Sequence, residues 1–164
     1  PEGRKTVMEL VKNACEERIY PVGRLDRETL GLLLFTNDGE LAKRLTHPSN
    51  NIRKVYRVEL DKVLTDEHFA ALGEGIELED GLIKPDDLAM NTVDKTVVGI
   101  EIHSGRNRIV RRMFEHFGYR INKLDRTSLA GITKKDLPRG HWRYLTEEEV
   151  IRIKFLGHKP EKPV

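Results

Sequence analysis

The stretch Gly23-Arg24-Leu25-Asp26-Arg27-Glu28-Thr29-Leu30-Gly31 decides how this chain is interpreted, because it sets one carboxylate between two arginines directly before the apolar run 32–35. A neighbouring guanidinium favours the ionised form of a carboxylate, and an ionised aspartate can act as a nucleophile. The same pattern is typical of an aspartate that caps a helix or joins a surface ion pair. Asp26 is therefore the first candidate catalytic residue, with a structural role as the alternative.

Charge is distributed unevenly along the chain. Residues 1–58 hold 11 basic and 8 acidic side chains, residues 59–103 hold 3 and 12, and residues 104–143 hold 11 and 3. The remaining residues, 144–164, hold 4 of each. The first and third blocks are expected to attract a polyanion while the acidic middle faces away from it. A solvated surface of mixed charge is the alternative.

Composition excludes several classes of protein. A chain of 164 residues is the size of one domain, and it has no run of about 18 apolar residues that would span a membrane. No secretory leader is visible from Pro1, and the lone Cys15 cannot form an internal disulfide, so we expect a cytoplasmic protein. The six histidines have no ligand spacing with cysteines or carboxylates, so we expect no metal.

Local patterns predict a mixture of helices and hairpin-like strand pairs, which favours an α+β domain with a mostly antiparallel sheet flanked by helices. The apolar run 32–36 predicts a central strand, and alternation over 54–62 places Tyr56 on the apolar side of another. Residues 158–164 are predicted to be a loose tail. Further strands are predicted over 82–91, 96–103 and 120–132, and helices from Thr6, over 40–46, 65–73 and 107–117, and from the capping box at Thr146.

Three motifs in order resemble the pseudouridine synthases that modify ribosomal RNA, and in particular the RsuA and RluB branch. The first joins Tyr20–Asp26 to Thr36–Ala42, the second is Lys54–Val58, and the third is Gly105–Phe114. The likeness continues through Lys123–Arg126 and Pro138–Thr146, so that it covers essentially the whole chain. The third motif looks more like the large-subunit enzymes, synthase B especially, than the small-subunit one.

The resemblance implies the pseudouridine synthase fold, with an active-site cleft across the central sheet. Members of the branch carry an S4-like RNA-binding domain and a further strand ahead of the segment that begins here. Residues 1–164 are therefore expected to be a catalytic domain without those two parts.

The resemblance also implies the isomerisation of a uridine in ribosomal RNA, which needs no cofactor. Asp26 would act on the ribose by forming a covalent bond or by removing a proton, and the sequence leaves both routes open. Arg111 would donate two hydrogen bonds to Asp26 and orient it. Tyr56 would stack on the uracil and act as general base at C5, and Leu124 would pack against the other side of the base. Without the motifs, both would be ordinary core residues.

Binding to RNA is expected to involve the remaining cations. The target base must be unstacked, at a cost of a few kcal/mol that phosphate contacts offset. Arg24 would contact phosphate or hold the base out of the helix, with a salt bridge to Glu28 as the alternative. The other candidates for substrate binding are Lys54, Arg106, Arg108 and Arg112.

The arginines of the third motif carry two further expectations. A helix that opens at Asn107 would place Arg108 and Arg112 on one face. At least one of the arginines is expected to pair with Glu115 or Asp125.

Two other function classes stay open at this point. One is a noncatalytic RNA-binding or ribosome-assembly module of the same fold, and the other is a hydrolase with Asp26 as general base. The expected partner is ribosomal RNA, and the expected state is a monomer without membrane or metal. Asp26 and Arg111 are 85 positions apart, and the proposed fold predicts that they meet within hydrogen-bonding distance.

Overall fold

A computed structural model of the protein describes residues 18–47 and 50–155, so the helix predicted from Thr6 and the tail 158–164 lie outside the described residues. The strands are β1 Tyr20–Val22, β2 Thr29–Gly31, β3 Leu34–Thr36, β4 Lys54–Leu60, β5 Ile76–Leu78, β6 Gly81–Ile83, β7 Asp87–Met90, β8 Val97–Ile102, β9 Ile121–Leu129 and β10 Ile132–Thr133. The helices are α1 Gly39–Thr46, α2 Asp66–Glu74, α3 Ile109–Glu115 and α4 Glu147–Lys154.

The main sheet has the strand order β10-β9-β4-β8-β7. The strand β2 pairs with the same edge of β9 as β10 does. The β2–β9 pair is parallel, and the other described pairs are antiparallel. Two small hairpin-like pairs, β1–β3 and β5–β6, stand apart from this sheet. The prediction of an α+β domain with a mostly antiparallel sheet is confirmed.

Two apolar clusters hold the domain together. The larger one joins the inner faces of β4 and β8 to α3, with Val58, Ile100, Met113 and Phe114 fully buried. Burying each such side chain contributes about 1.5–3 kcal/mol to folding. The smaller cluster packs β1, β3 and α1 against the end of β9 and includes Ile153 of α4. The segment that carries Asp26 is thereby packed at one end of the main sheet.

The prediction of one central strand over 32–36 is wrong, because the chain kinks between β2 and β3. Gly31 has φ +122°, and a Cβ there would lie 2.3 Å from the carbonyl oxygen of Arg126. This close approach requires glycine. Leu32 then donates its N–H to that same oxygen at 2.9 Å, and β3 pairs with β1 instead of the main sheet. The Asp26 loop, between β1 and β2, is therefore held beside β9.

Several predicted elements differ in extent for local reasons. The predicted strand 82–91 is divided by Pro85, which has no N–H to donate, into β6 and β7 with different partners. The further strands predicted near 120–132 are β9 and β10, which are joined by a turn at Ala130 and Gly131, both with positive φ. The strands β1, β2 and β5 were not predicted.

The helix ends follow their caps. Asp38, Thr65 and Thr146 accept hydrogen bonds from backbone N–H groups in the first turns of α1, α2 and α4, and the capping box at Thr146 is confirmed. The predicted helix 107–117 is shorter, since it begins at Ile109. Among the described helices, none has the length and apolar character needed to cross a membrane.

Candidate active site

One cavity of about 800 Å³ brings together most of the residues that the sequence motifs single out. It lies between the Asp26 loop, strands β4 and β9, and the segment ahead of α3, and we call it the Asp26 cavity. Its volume is in the range of small-molecule sites. The predicted site residues that line it are Arg24, Asp26, Lys54, Tyr56, Arg106, Arg108, Arg111 and Leu124, whereas Arg112 lies outside its lining.

Asp26 lies at the turn between β1 and β2. Its carbonyl oxygen accepts a hydrogen bond from the N–H of Thr29 at 2.9 Å, which closes the turn. The side chain is 38% exposed, and its Oδ2 lies 3.8 Å from Nη1 of Arg108. Among the described residues, none donates a hydrogen bond to this carboxylate. Asp26 therefore lines the cavity with a partly exposed carboxylate and a cation near it.

The direct pair expected between Asp26 and Arg111 is wrong. Arg111 donates from Nη2 to the carbonyl oxygen of Glu28 at 2.9 Å, and its Nη1 lies 3.9 Å from the Glu28 carboxylate. The Arg111 side chain is 8% exposed, so its charge is desolvated unless it is bound. The Glu28 carbonyl, part of the Asp26 loop, accepts this hydrogen bond, while Nε of Arg111 is buried without a hydrogen-bond partner among the described residues. Arg111 thus holds the loop that carries Asp26, and not the carboxylate itself.

Arg24 lines the cavity without the salt bridge that was its alternative role. The carboxylate of Glu28 lies within 4 Å of Arg108 and Arg111 in the described part of the chain, and not of Arg24. Arg24 is exposed on the loop beside Asp26.

Tyr56 and Leu124 occupy the wall formed by β4 and β9. Tyr56 is half-buried and stands opposite Arg126 across the two strands, and Val58 stands opposite Leu124. Leu124 is buried in the larger apolar cluster while also lining the cavity. A ring and an apolar side chain therefore flank the same space as the Asp26 carboxylate.

Arg126 is a site residue that reasoning from the sequence missed. It is 4% exposed, and its Nε and Nη2 donate to the carbonyl oxygen of Leu32 at 2.9 and 2.6 Å. Burial lowers the pKa of Arg126, and its interaction with the Tyr56 hydroxyl opposes that shift. An arginine in a predicted strand does not by itself indicate that it belongs to a site. Knowing the register that places it opposite Tyr56 would have been necessary to find it.

Lys54 is half-buried, unlike a surface lysine that binds phosphate. Its Nζ donates to the carbonyl oxygen of Ser104 at 3.3 Å. Burial lowers the pKa of Lys54, and the charge of Arg126 lowers it further. Lys54 therefore contributes positive charge to the interior of the Asp26 cavity.

Arg106 and Arg112 are held by a carboxylate that the sequence did not single out. Asp80, at the turn between β5 and β6, accepts from Arg106 Nη1 and Arg112 Nη2, each at 3.0 Å. Arg106 also donates to the carbonyl oxygens of Asp80, Gly81 and Leu82 at 3.0–3.2 Å. The hydrogen bond from Arg112 is the main reason that the pKa of Asp80 is lowered. We call this arrangement the Asp80 clamp.

Two predictions about these arginines are therefore wrong. They pair with Asp80 and not with Glu115 or Asp125, because the β5–β6 turn reaches the segment ahead of α3, while Asp125 pairs with Lys134. Arg108 and Arg112 do not share a helix face either. Arg108 has a left-handed φ of +51° and precedes the first residue of α3, so it turns toward Asp26 while Arg112 turns toward Asp80.

Comparison with known proteins gives a family. A family model for RNA pseudouridylate synthases matches residues 2–116. The chain is 42% identical over 160 residues to ribosomal large subunit pseudouridine synthase B of Bacillus subtilis, covering 95% of this chain and 65% of that protein. It is 40% identical over 162 residues to an uncharacterised RNA pseudouridine synthase of Aquifex aeolicus, covering 97% of this chain and 65% of that protein. The chain thus spans just under two thirds of the length of these relatives.

Solved structures agree with the sequence comparison. A crystal structure of a pseudouridylate synthase matches with a TM-score of 0.73 and 31% identity, over 82% of this chain and 59% of that one. An H/ACA ribonucleoprotein bound to a substrate RNA matches with a TM-score of 0.52 and 15% identity, over 79% of this chain and 43% of that one, which shows a shared fold alone. Because the family model matches residues 2–116 and the relatives named above are 40% and 42% identical to it, the chain belongs to the RNA pseudouridylate synthase family.

Proposed function

We propose that this chain isomerises a uridine of large-subunit ribosomal RNA to pseudouridine, on a base turned out of the RNA into the Asp26 cavity. The observation that carries the proposal is the convergence of Asp26, Tyr56 and Leu124 with several cations in one cavity. The similarity to large-subunit synthase B supports ribosomal RNA as the substrate.

The reaction breaks the bond between ribose C1′ and N1 of uracil and forms a bond between C1′ and C5. The proton on C5 is lost, and N1 regains one, so that nothing is oxidised or reduced. Asp26 is the acting carboxylate, either by bonding to C1′ or by removing a ribose proton. Its partly exposed carboxylate, free of hydrogen bonds from the described residues, suits both routes.

Tyr56 and Leu124 would hold the uracil between them while it changes its point of attachment. Stacking on a tyrosine ring tolerates rotation of the base, since it depends on the π face and not on hydrogen bonds. The Tyr56 hydroxyl is the proposed general base for the C5 proton. Arg126, bound beside it, would stabilise the ring oxygen and fix its direction.

The surrounding cations divide into two tasks. Arg108 would orient the Asp26 carboxylate from 3.8 Å, and Arg111 would fix the loop through the Glu28 carbonyl. Arg24 and Lys54 would contact the phosphate and the base at the mouth and interior of the cavity. Charge complementarity of this kind offsets the cost of unstacking the base.

The test measures tritium release from C5-labelled ribosomal RNA transcript, with nucleoside analysis of the product for pseudouridine. Replacing Asp26 by Asn keeps the shape of the side chain and removes its charge. We expect release to fall by about 10³-fold or more, as for removal of a nucleophile. Asp38→Asn is the matched control, because Asn caps a helix about as well as Asp does and α1 should be unaffected.

Two outcomes would overturn the proposal. Equal release by the Asp26→Asn variant would remove Asp26 from the reaction. RNA binding without release by the unsubstituted chain, at RNA concentrations well above Kd, would favour a noncatalytic RNA-binding module of the same fold.

A further inference from the structure

A second cavity, of about 450 Å³, opens on the other face of β9 from the Asp26 cavity. Lys123 and Asp125 line this second space, whereas Leu124 and Arg126 line the first. Successive residues of a strand point to opposite faces, so the two cavities are separated by β9 itself. We call the second space the Trp142 cavity, and the reaction proposed above makes no use of it.

Two exposed aromatic rings form one wall of the Trp142 cavity. Trp142 is 43% exposed and Tyr144 is 67% exposed, and their ring centroids lie 5.4 Å apart in an edge-to-face arrangement. The apolar side chains of 30–35 form the opposite wall. The contact between the two rings makes this exposed apolar surface contiguous, and contiguous exposed apolar surface is typical of interaction sites.

The segment that carries the rings is anchored. Arg143, between the two aromatic residues, donates two hydrogen bonds to the Glu149 carboxylate at 2.7 and 3.0 Å. The same glutamate closes the capping box with Thr146 at the start of α4. The rings are therefore presented in a defined position before any ligand arrives, which reduces the entropy cost of binding.

The charge at the Trp142 cavity is positive. Lys123 and Arg139 line it, and within the described part of the chain neither forms an ion pair. The carboxylate of Asp125 is neutralised by Lys134, whose Nζ lies 2.7 Å from Oδ1. The cavity thus combines two unpaired cations with aromatic walls, which is the composition of a site for single-stranded nucleic acid.

We propose that the Trp142 cavity binds an unstacked nucleotide of single-stranded RNA, with its base against Trp142 and Tyr144 and its phosphate near Lys123 and Arg139. The volume is in the range of small-ligand sites. The proposal rests on the proposed function in one respect, that RNA is the substrate. It adds a second contact, outside the reaction site, for RNA that flanks the modified uridine.

The experiment uses intrinsic fluorescence, because Trp142 is the sole tryptophan of the 164 residues and reports on this cavity directly. A short single-stranded oligonucleotide is titrated into the unsubstituted chain, and an abasic oligonucleotide of the same length and charge is the control. We expect quenching by the first and little change with the second. No quenching, or equal quenching by both, would overturn base stacking at Trp142.

Matched variants separate stacking from charge. By anisotropy of labelled RNA, Trp142→Leu should weaken binding by about fivefold or more, while Trp142→Phe keeps most of the affinity. Lys123→Gln and Arg139→Gln should each reduce the slope of log affinity against log salt by about 0.7. Unchanged affinity in Trp142→Leu, with a normal circular dichroism spectrum, would overturn the proposal.

Tritium release on the same samples keeps this inference distinct from the proposed function. Normal release without quenching would remove the Trp142 site alone. Quenching without release would support the Trp142 site and remove the isomerase.

Discussion

Arg108 and the pair Arg106 and Arg112 come from the same motif, but they interact with their carboxylates in different ways. Arg108 approaches Asp26 at 3.8 Å without a hydrogen bond, whereas Arg106 and Arg112 donate to Asp80 at 3.0 Å. The Asp26 carboxylate beside Arg108 stays partly exposed. Arg106 and Arg112 share the Asp80 carboxylate, and they thereby tie the β5–β6 turn to the segment ahead of α3.

The difference shows that arginines of one sequence motif are not interchangeable. A salt bridge between exposed groups contributes little to stability, but it directs the side chains that take part in it. The Asp80 clamp fixes the backbone from which Arg108 turns back toward Asp26. We therefore interpret the clamp as support for the geometry of the Asp26 cavity.

The largest effect should come from Arg126, which lines the Asp26 cavity. Arg126→Met leaves the Leu32 carbonyl without its charged donor, and a hydrogen bond to a charged group contributes about 1.5–3 kcal/mol. We expect the free energy of unfolding to fall by about 2–3 kcal/mol, measured by urea denaturation. Arg126→Lys, which keeps the charge, should lose less. Equal stability of the methionine variant and the unsubstituted chain would contradict this role.

A middle-sized effect should distinguish Arg108 from Arg112, since both variants lose one charge. Arg108→Gln is expected to lower kcat by up to about fivefold, because it removes the cation that lies 3.8 Å from the Asp26 carboxylate, and an exposed ion pair contributes about 0.2–1 kcal/mol. Arg112→Gln should leave kcat within about twofold, because Arg112 lies outside the lining of the Asp26 cavity and pairs with Asp80. Tritium-release kinetics measure both. The comparison fails if the two variants lose kcat equally.

The smallest effect is expected from Asp80→Asn, which opens the clamp without removing a cation. Arg106 and Arg112 are then available to phosphate, so RNA should bind a few-fold more tightly at low salt, with a steeper salt dependence. Salt titration of RNA affinity measures this change. Weaker binding would mean that the clamp orients these arginines for RNA.

The same clamp has a pH dependence of known sign. The pKa of Asp80 is lowered in the folded chain, so near its ordinary value the native state binds fewer protons than the unfolded state. The contribution of the clamp is therefore present above that ordinary value and is lost as the pH falls through the lowered one. Acid unfolding of the unsubstituted chain and of the Asp80→Asn variant should differ in this window, because the variant has no proton to gain there.

Much of the fold could be predicted, because the signals are local. The caps at Asp38, Thr65 and Thr146 set helix starts, and alternation sets β4 and β8. The break at Gly31 could not be predicted, since it depends on the backbone of Arg126, 95 positions away. An apolar run looks the same whether it continues in one sheet or passes between two.

The candidate site, too, has one part that the sequence predicted and another that depends on distant residues. From the sequence alone came the candidates, since Asp26 and the arginine-rich motif are recognisable by residue type, and the resemblance to the pseudouridine synthases singled out Tyr56. The tertiary structure decided the partners: Arg108 near Asp26, Arg111 on the Glu28 carbonyl, and Asp80 on the remaining arginines. Electrostatic and hydrogen-bond energies depend on distances of a few ångströms between groups far apart in the chain, and only folding sets those distances.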